Sequence, residues 1–182
     1  LSDDLADIDN EDLIPVEDIV VILSKQGYIK RVDPEEFRMI KRGGVGVKGM
    51  KTKEEDIVDI ILHTITHTDV LFFTDKGKVY RKRGYQIPAF RREGKGLPII
   101  NLLGFDKEES VRAIVSINEY DADHFLFYVT RNGVTKRTTL SEFARINQSG
   151  KIAIDLREGD ELMDVKVTDG TATIGIGASN GK

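Results

Sequence analysis

Three glycine pairs, Gly27 with Gly44, Gly77 with Gly94 and Gly133 with Gly150, are each separated by 17 residues, and basic side chains recur around them. Just past the first glycine of each pair come Lys30-Arg31, Arg81-Lys82-Arg83 and Lys136-Arg137. Around the second come Arg38, Lys41, Arg42 and Lys48, then Arg91, Arg92 and Lys95, then Arg145 and Lys151. A repeat places equivalent positions on the same edge, so the spacing predicts an interrupted positive belt. Lysine and arginine bind phosphate, and loop glycines such as Gly43, Gly44 and Gly46 let backbone N–H groups approach it closely. With only 7% aromatic residues, the pattern suits a duplex gripped by its backbone better than single strands stacked on rings. The same bases also suit solvated loops balanced by neighbours such as Glu35, Glu36 and Glu93.

Other chemistries find little support. The chain has no cysteine, which excludes thiol nucleophiles, disulfide scaffolds and Cys-ligated metals. His63 and His67 lie in a strand-like run, where four residues span roughly 13 Å, too far for one metal. Three histidines without a nearby serine–acid grouping make no hydrolase triad. Gly44-Val-Gly-Val-Lys-Gly49 has dinucleotide-loop spacing, but Met50–Asp56 has no apolar helical face to follow it. Gly177–Lys182 has the wrong spacing for a phosphate loop and lacks its hydroxyl residue. None of the five tyrosines follows an arginine, so none reads as a DNA-cleaving nucleophile. No catalytic, metal or cofactor site is therefore expected within these 182 residues.

The belt needs elements to carry it, and the apolar runs supply them. Ile19–Gly27, Val70–Gly77, Phe125–Gly133 and Ile174–Gly181 align as short β-branched and aromatic runs ending in glycine turns, the mark of hairpins. A further strand follows each acidic stretch, at Ile57–Leu62, Val111–Val115 and Leu162–Val167. The continuous apolar runs Ile19–Leu23 and Phe125–Val129 predict strands buried on both faces, as in stacked sheets. No amphipathic helix is predicted, and Leu140–Ile146 suits a turn or two. The expected architecture is all-β and propeller-like, with four-stranded blades of about 50 residues near 18–68, 69–122 and 123–172 and the start of another at 173–182.

Net charge is −4, yet residues 1–18 hold eight of the 31 acids and no base, leaving 27 bases against 23 acids elsewhere. Residues 1–17 thus read as an acidic linker, able to compete with a polyanion for a mildly basic body. No apolar run reaches the roughly 18 residues a membrane helix needs, so no membrane partner is expected, and the lack of cysteine fits the expectation of a cytoplasmic location. Leu1 and Lys182 read as the ends of an excerpt from a longer chain.

The run Phe37-Arg-Met-Ile-Lys-Arg-Gly-Gly-Val-Gly-Val-Lys-Gly-Met50 resembles the GyrA-box region in the C-terminal domain of the DNA gyrase A protein. Asp12–Asp18, Gly27–Arg31, Leu71–Thr74, Gly77–Tyr80, Glu142–Asn147, Gly150–Ile154 and Asp160–Leu162 resemble the same family. By position, Lys41, Arg42, Gly43, Gly44 and Gly46 fit the box, whereas Ile40 replaces its usual Gln and Val45 its second base. The resemblance implies a partial β-pinwheel that binds and wraps duplex DNA, so that ATP-driven strand passage by a type IIA topoisomerase introduces negative supercoils. It implies a bacterial, nucleoid-associated enzyme in which a homodimer of the gyrase A protein joins the gyrase B protein as A2B2, with ATP and Mg serving the whole enzyme. The corresponding protein of topoisomerase IV, which typically lacks an intact box, is the alternative within the resemblance. A protein-interaction propeller is the alternative from another class, although the Trp-Asp signature common in such folds is missing.

Overall fold

The computed structural model describes residues 11–42, 57–91 and 93–169. Its strands are β1 (Asp18–Ser24), β2 (Tyr28–Val32), β3 (Val58–Ile65), β4 (Asp69–Thr74), β5 (Lys78–Arg83), β6 (Leu97–Pro98), β7 (Val111–Ile117), β8 (Phe125–Thr130), β9 (Thr135–Thr139), β10 (Lys151–Ile152) and β11 (Leu162–Thr168). Two helices interrupt them, α1 (Pro34–Arg42) and α2 (Ile99–Leu103), with 3₁₀ turns at Gly84–Gln86 and Leu140–Phe143. The described strands form sheets ordered β3-β1-β2-β6, β10-β5-β4-β7 and β11-β8-β9. The chain divides into two compact units, Leu1–Val70 with Lys82–Glu108, and Leu71–Arg81 with Glu109–Lys182.

In the first unit β1 pairs antiparallel with β2 and β3, and every residue from Ile19 to Leu23 is buried, as its unbroken apolar run predicts. Val20 and Ile22 pack with Val32, Val58 and two residues of α1, Phe37 and Ile40. That helix corrects the expectation of none. Asp33 Oδ1 accepts the Glu36 N–H at 2.7 Å, Pro34 opens the first turn, acids follow, and Lys41 and Arg42 end it, a full set of terminal signals. Its buried stripe is only Phe37 and Ile40, too few positions for periodicity to reveal.

One connection recurs. The chain that leaves the second hairpin comes back to the first, where β6 pairs with β2 (Ile29↔Leu97) and Ile99 N–H donates to Gly27 O at 2.7 Å. Within the second unit β10 pairs with β5 in the same way (Lys151↔Val79), and Ala153 N–H donates to Gly77 O at 2.8 Å. Gly77 has φ +85°, and a Cβ there would lie 2.5 Å from Ile154 O, so both the turn and the returning strand require glycine. Hairpin tips also bind their own last strands alike: Lys25 N–H donates to Ile57 O, Asp75 N–H to Ser110 O and Arg131 N–H to Glu161 O.

The second unit's core holds Leu71, Phe73, Val79, Leu126, Tyr128, Phe143 and Leu162. Phe73 and Tyr128 meet edge to face at 6.0 Å, and the Tyr128 hydroxyl bonds Thr138 Oγ1 at 3.0 Å. Burial raises the Tyr128 phenol well above its ordinary value. Among the described residues β8 has Leu126 and Tyr128 fully buried, while Phe125, Phe127 and Val129 are partly open. The Arg137 guanidinium lies over Phe125 at 4.4 Å.

The acidic lead-in is tied down from Glu11 onward. Thr66 Oγ1 donates to Pro15 O at 2.8 Å and accepts from Glu17 N–H, and the His67 ring bonds Ile14 O at 2.9 Å. Glu11 accepts from Tyr85 Oη at 2.8 Å and from Arg83 at 2.9 Å. The Tyr85 hydroxyl, with help from Arg83, holds the Glu11 carboxyl below its ordinary value.

Phe37→Ala is expected to cost about 3–5 kcal/mol in urea unfolding, whereas Met39→Ala, at an exposed position of the same helix, stays within about 0.5 kcal/mol. Because the folded Glu11 pKa is depressed, its contribution is present above the unfolded carboxyl value and lost as pH falls through the folded one. Glu11→Gln should therefore cost less than about 1 kcal/mol at pH 7, given its solvent screening, and the cost should shrink toward nothing as pH falls through the folded value; paired melting curves across an acid series measure this.

Candidate nucleic-acid interface

The bases divide by what they touch. Arg31, four residues past Gly27, sends Nε to Ile87 O at 2.5 Å, while its backbone N–H donates to Pro88 O and its carbonyl accepts Phe90 N–H. Arg81, four past Gly77, repeats this in the second unit, reaching Ala144 O at 3.2 Å and Ile146 O at 3.5 Å. Both fasten the returning segment to the hairpin it joins. Lys30 is buried, with Nζ 2.7 Å from Gly94 O and 3.3 Å from Arg91 O; burial lowers its pKa, opposed by Glu36 and Glu93. Arg83 holds Asp69 at 3.0 Å and Glu11 at 2.9 Å. Burial disfavours the Arg83 charge, but the two carboxylates outweigh it and raise the pKa.

A second set faces solvent. Lys41 lies 5.8 Å from the Phe37 ring centroid and Lys95 4.6 Å from that of Tyr28. Arg137 sits on Phe125, and Lys151 is 4.8 Å from the Phe143 ring while also donating to Glu142 O. Such rings orient a cation without neutralising it. Arg42, Arg91, Lys136 and Arg145 are exposed, Lys82 is half-buried, and Arg38 makes an exposed pair with Glu35 at 2.6 Å. Gly43, Gly44, Gly46, Lys48 and Arg92 lie outside the described residues.

Sequence reasoning took the few aromatics as a reason to discount them, yet rings stand beneath four of the candidate cations. The signal was present: Lys95 and Lys151 each follow the second glycine of a pair by one residue, and Tyr28 follows a first glycine by one. It also passed over Lys78, whose Nζ lies 5.4 Å from the Tyr80 ring.

A cleft of about 490 Å³ in the first unit is lined by Glu17, Asp18, Asp33 and Glu36 against Arg31 and Arg91. His63 packs edge-on against Phe37 rather than facing His67. Among the described residues no three His, Asp or Glu side chains gather to hold a metal, and no helix is long and apolar enough to cross a membrane.

A family described as "DNA gyrase C-terminal domain, beta-propeller" matches residues 18–63, 68–118 and 124–169. The DNA gyrase A protein of Ureaplasma parvum serovar 3 is 52% identical over 174 residues, covering 96% of this chain and 21% of that protein. The DNA gyrase A protein of Halalkalibacterium halodurans is 47% identical over 173 residues, covering 95% of this chain and again 21% of the relative. The chain thus spans about a fifth of the length of these relatives. Among solved structures, the C-terminal domain of a DNA topoisomerase IV superposes with TM-score 0.69 at 28% identity, covering 87% of this chain and 48% of that one. A DNA gyrase A C-terminal domain does so with TM-score 0.61 at 25% identity, covering 85% and 49%. Three matched stretches on successive hairpin repeats, together with close relatives along nearly the whole chain, place it in the DNA gyrase C-terminal domain, beta-propeller family.

Proposed function

We propose that this chain binds and wraps duplex DNA as part of a gyrase A protein. The observation that carries the reading is the division of the bases: Arg31 and Arg81 are spent on carbonyls, while Lys41, Arg42, Arg91, Lys95, Lys136, Arg137 and Arg145 keep their charge at the surface. Exposed cations, with no base-reading helix among the described residues, favour phosphate contact and counterion release, with preference set by how easily the duplex bends. Strand cleavage, ATP and Mg belong to other parts of the parent enzyme in this reading, with a second gyrase A protein and two gyrase B proteins as partners in an A2B2 assembly in the bacterial cytoplasm.

The likeness to a topoisomerase IV C-terminal domain supports a second reading within the same enzyme class. The complete enzyme distinguishes them on relaxed circular DNA: ATP-dependent negative supercoiling identifies gyrase, and relaxation with decatenation alone identifies topoisomerase IV. For the chain itself, Lys41→Glu with Arg42→Glu should weaken duplex binding and lower the magnitude of the log K against log[salt] slope by about 1.8, at about 0.9 per phosphate-bound cation. Anisotropy titrations with duplexes of unrelated sequence measure this, and an unchanged isotherm counts against the reading.

A further inference from the structure

A lysine ammonium buried beneath a loop that carries exposed cations is an unusual expenditure, because removing the charge from water is costly unless polar partners replace the lost hydration. Lys30 is 9% exposed, on β2, and its Nζ is met by the carbonyls of Arg91 and Gly94 at 3.3 and 2.7 Å. Gly94 N–H closes the same turn onto Arg91 O at 2.9 Å. Two residues on, Gly96 has φ +105°, and a Cβ there would stand 2.6 Å from Ile29 O. The loop is thereby pressed flat on β2 at one end and drawn inward by an ammonium at the other. In a planar trans peptide the C=O and N–H are antiparallel, so carbonyl 94 aimed at Lys30 directs the Lys95 N–H away from it. On the outer side, the Arg91 side chain is exposed and Lys95 Nζ rests over Tyr28 at 4.6 Å.

We propose that Lys30 is a positioning residue for phosphate binding, drawing the Arg91 and Gly94 carbonyls inward so that Arg91 and Lys95 present their charges to the duplex backbone. This rests on the DNA-binding reading above and deepens it by giving the repeat two kinds of base, one that touches phosphate and one that arranges the loop that does. Sequence position alone had placed Lys30 among the phosphate ligands.

The salt dependence separates the two roles. Lys30→Met in this chain should weaken duplex binding about tenfold, as loop side chains lose their preorganisation. The slope of log K against log[salt] should stay unchanged, because Lys30 binds no phosphate. Amide exchange at Gly94 and Lys95 should quicken while the β1–β2 amides keep their protection, and Lys30→Arg, which keeps a charged donor, should restore much of the affinity. Unchanged affinity in folded Lys30→Met overturns the proposal, and so does a slope lowered in magnitude by about 0.9, which marks a direct phosphate ligand. If Lys30→Met does not fold, Arg91→Met and Lys95→Met decide: each should take about 0.9 from the slope, and if neither does the loop carries no phosphate and Lys30 positions nothing. Failure of the underlying reading looks different, since the unsubstituted chain would then show no salt-dependent binding to duplex.

Discussion

The return of each chain segment to the preceding hairpin is the constraint on which the rest depends. β6 and β10 are two residues each, so their ladders supply only a few hydrogen bonds, each worth about 1 kcal/mol net. That is little against the entropy of closing the connection. The arginine four residues past the turn glycine makes up the difference. Arg31 and Arg81 add charge-assisted bonds to carbonyls of the incoming segment, which are stronger than neutral ones. The same pairing covers the outer edge of β2 and β5, which would otherwise offer unpaired backbone groups to other chains.

This constraint explains why the bases have divergent environments. On the strand that receives the returning segment, Lys30, Arg31 and Arg81 meet its carbonyls and are drawn inward, whereas Lys78 lies over the Tyr80 ring. A base on the segment that crosses over has a ring beneath and solvent above, that of the preceding repeat for Lys95 over Tyr28 and of its own repeat for Lys151 over Phe143. Arg137 occupies the same place in its repeat as Arg31 and Arg81, yet lies on Phe125, exposed. Among the described residues no returning segment pairs with β9, and the ring face leaves the guanidinium edge hydrated.

Much of the architecture was legible because hairpins announce themselves locally. The runs Ile19–Leu23 and Val70–Thr74 and their turn glycines mark β1 and β4, and the repeat of Gly27, Gly77 and Gly133 relates them. What escaped has a physical reason in each case. β6 and β10 span a single period of alternation, too little for a pattern to mark them. The stripe on α1 is two residues, although Asp33, Pro34 and the closing Lys41-Arg42 spell out its ends. The lead-in looked like a solvated acidic tail because composition cannot show that Thr66, His67, Arg83 and Tyr85, some 50 to 75 residues away, hold Glu11 to Glu17. The roles of the bases were the least readable: Arg31 and Arg137 are the same residue at the same offset, and only the neighbouring backbone distinguishes a fastening from an exposed charge.

The first repeat also departs from the others in a way that bears on how it meets an anion. Past β5 and β9 the chain makes 3₁₀ turns, Gly84–Gln86 and Leu140–Phe143, whereas past β2 it makes the nine-residue α1. Lys41 and Arg42 therefore stand at a helix C-terminus, where the carbonyl ends carry partial negative charge. That charge offsets part of their attraction for phosphate. Of the exposed bases in the later repeats, Arg91 follows no helix end directly, and Arg145 follows only the short 3₁₀ turn that Ala144 closes. Equal residue types at comparable places in the repeat thus contribute unequally, and the box-like run, for all its concentration of bases, begins where the backbone field works against an incoming phosphate.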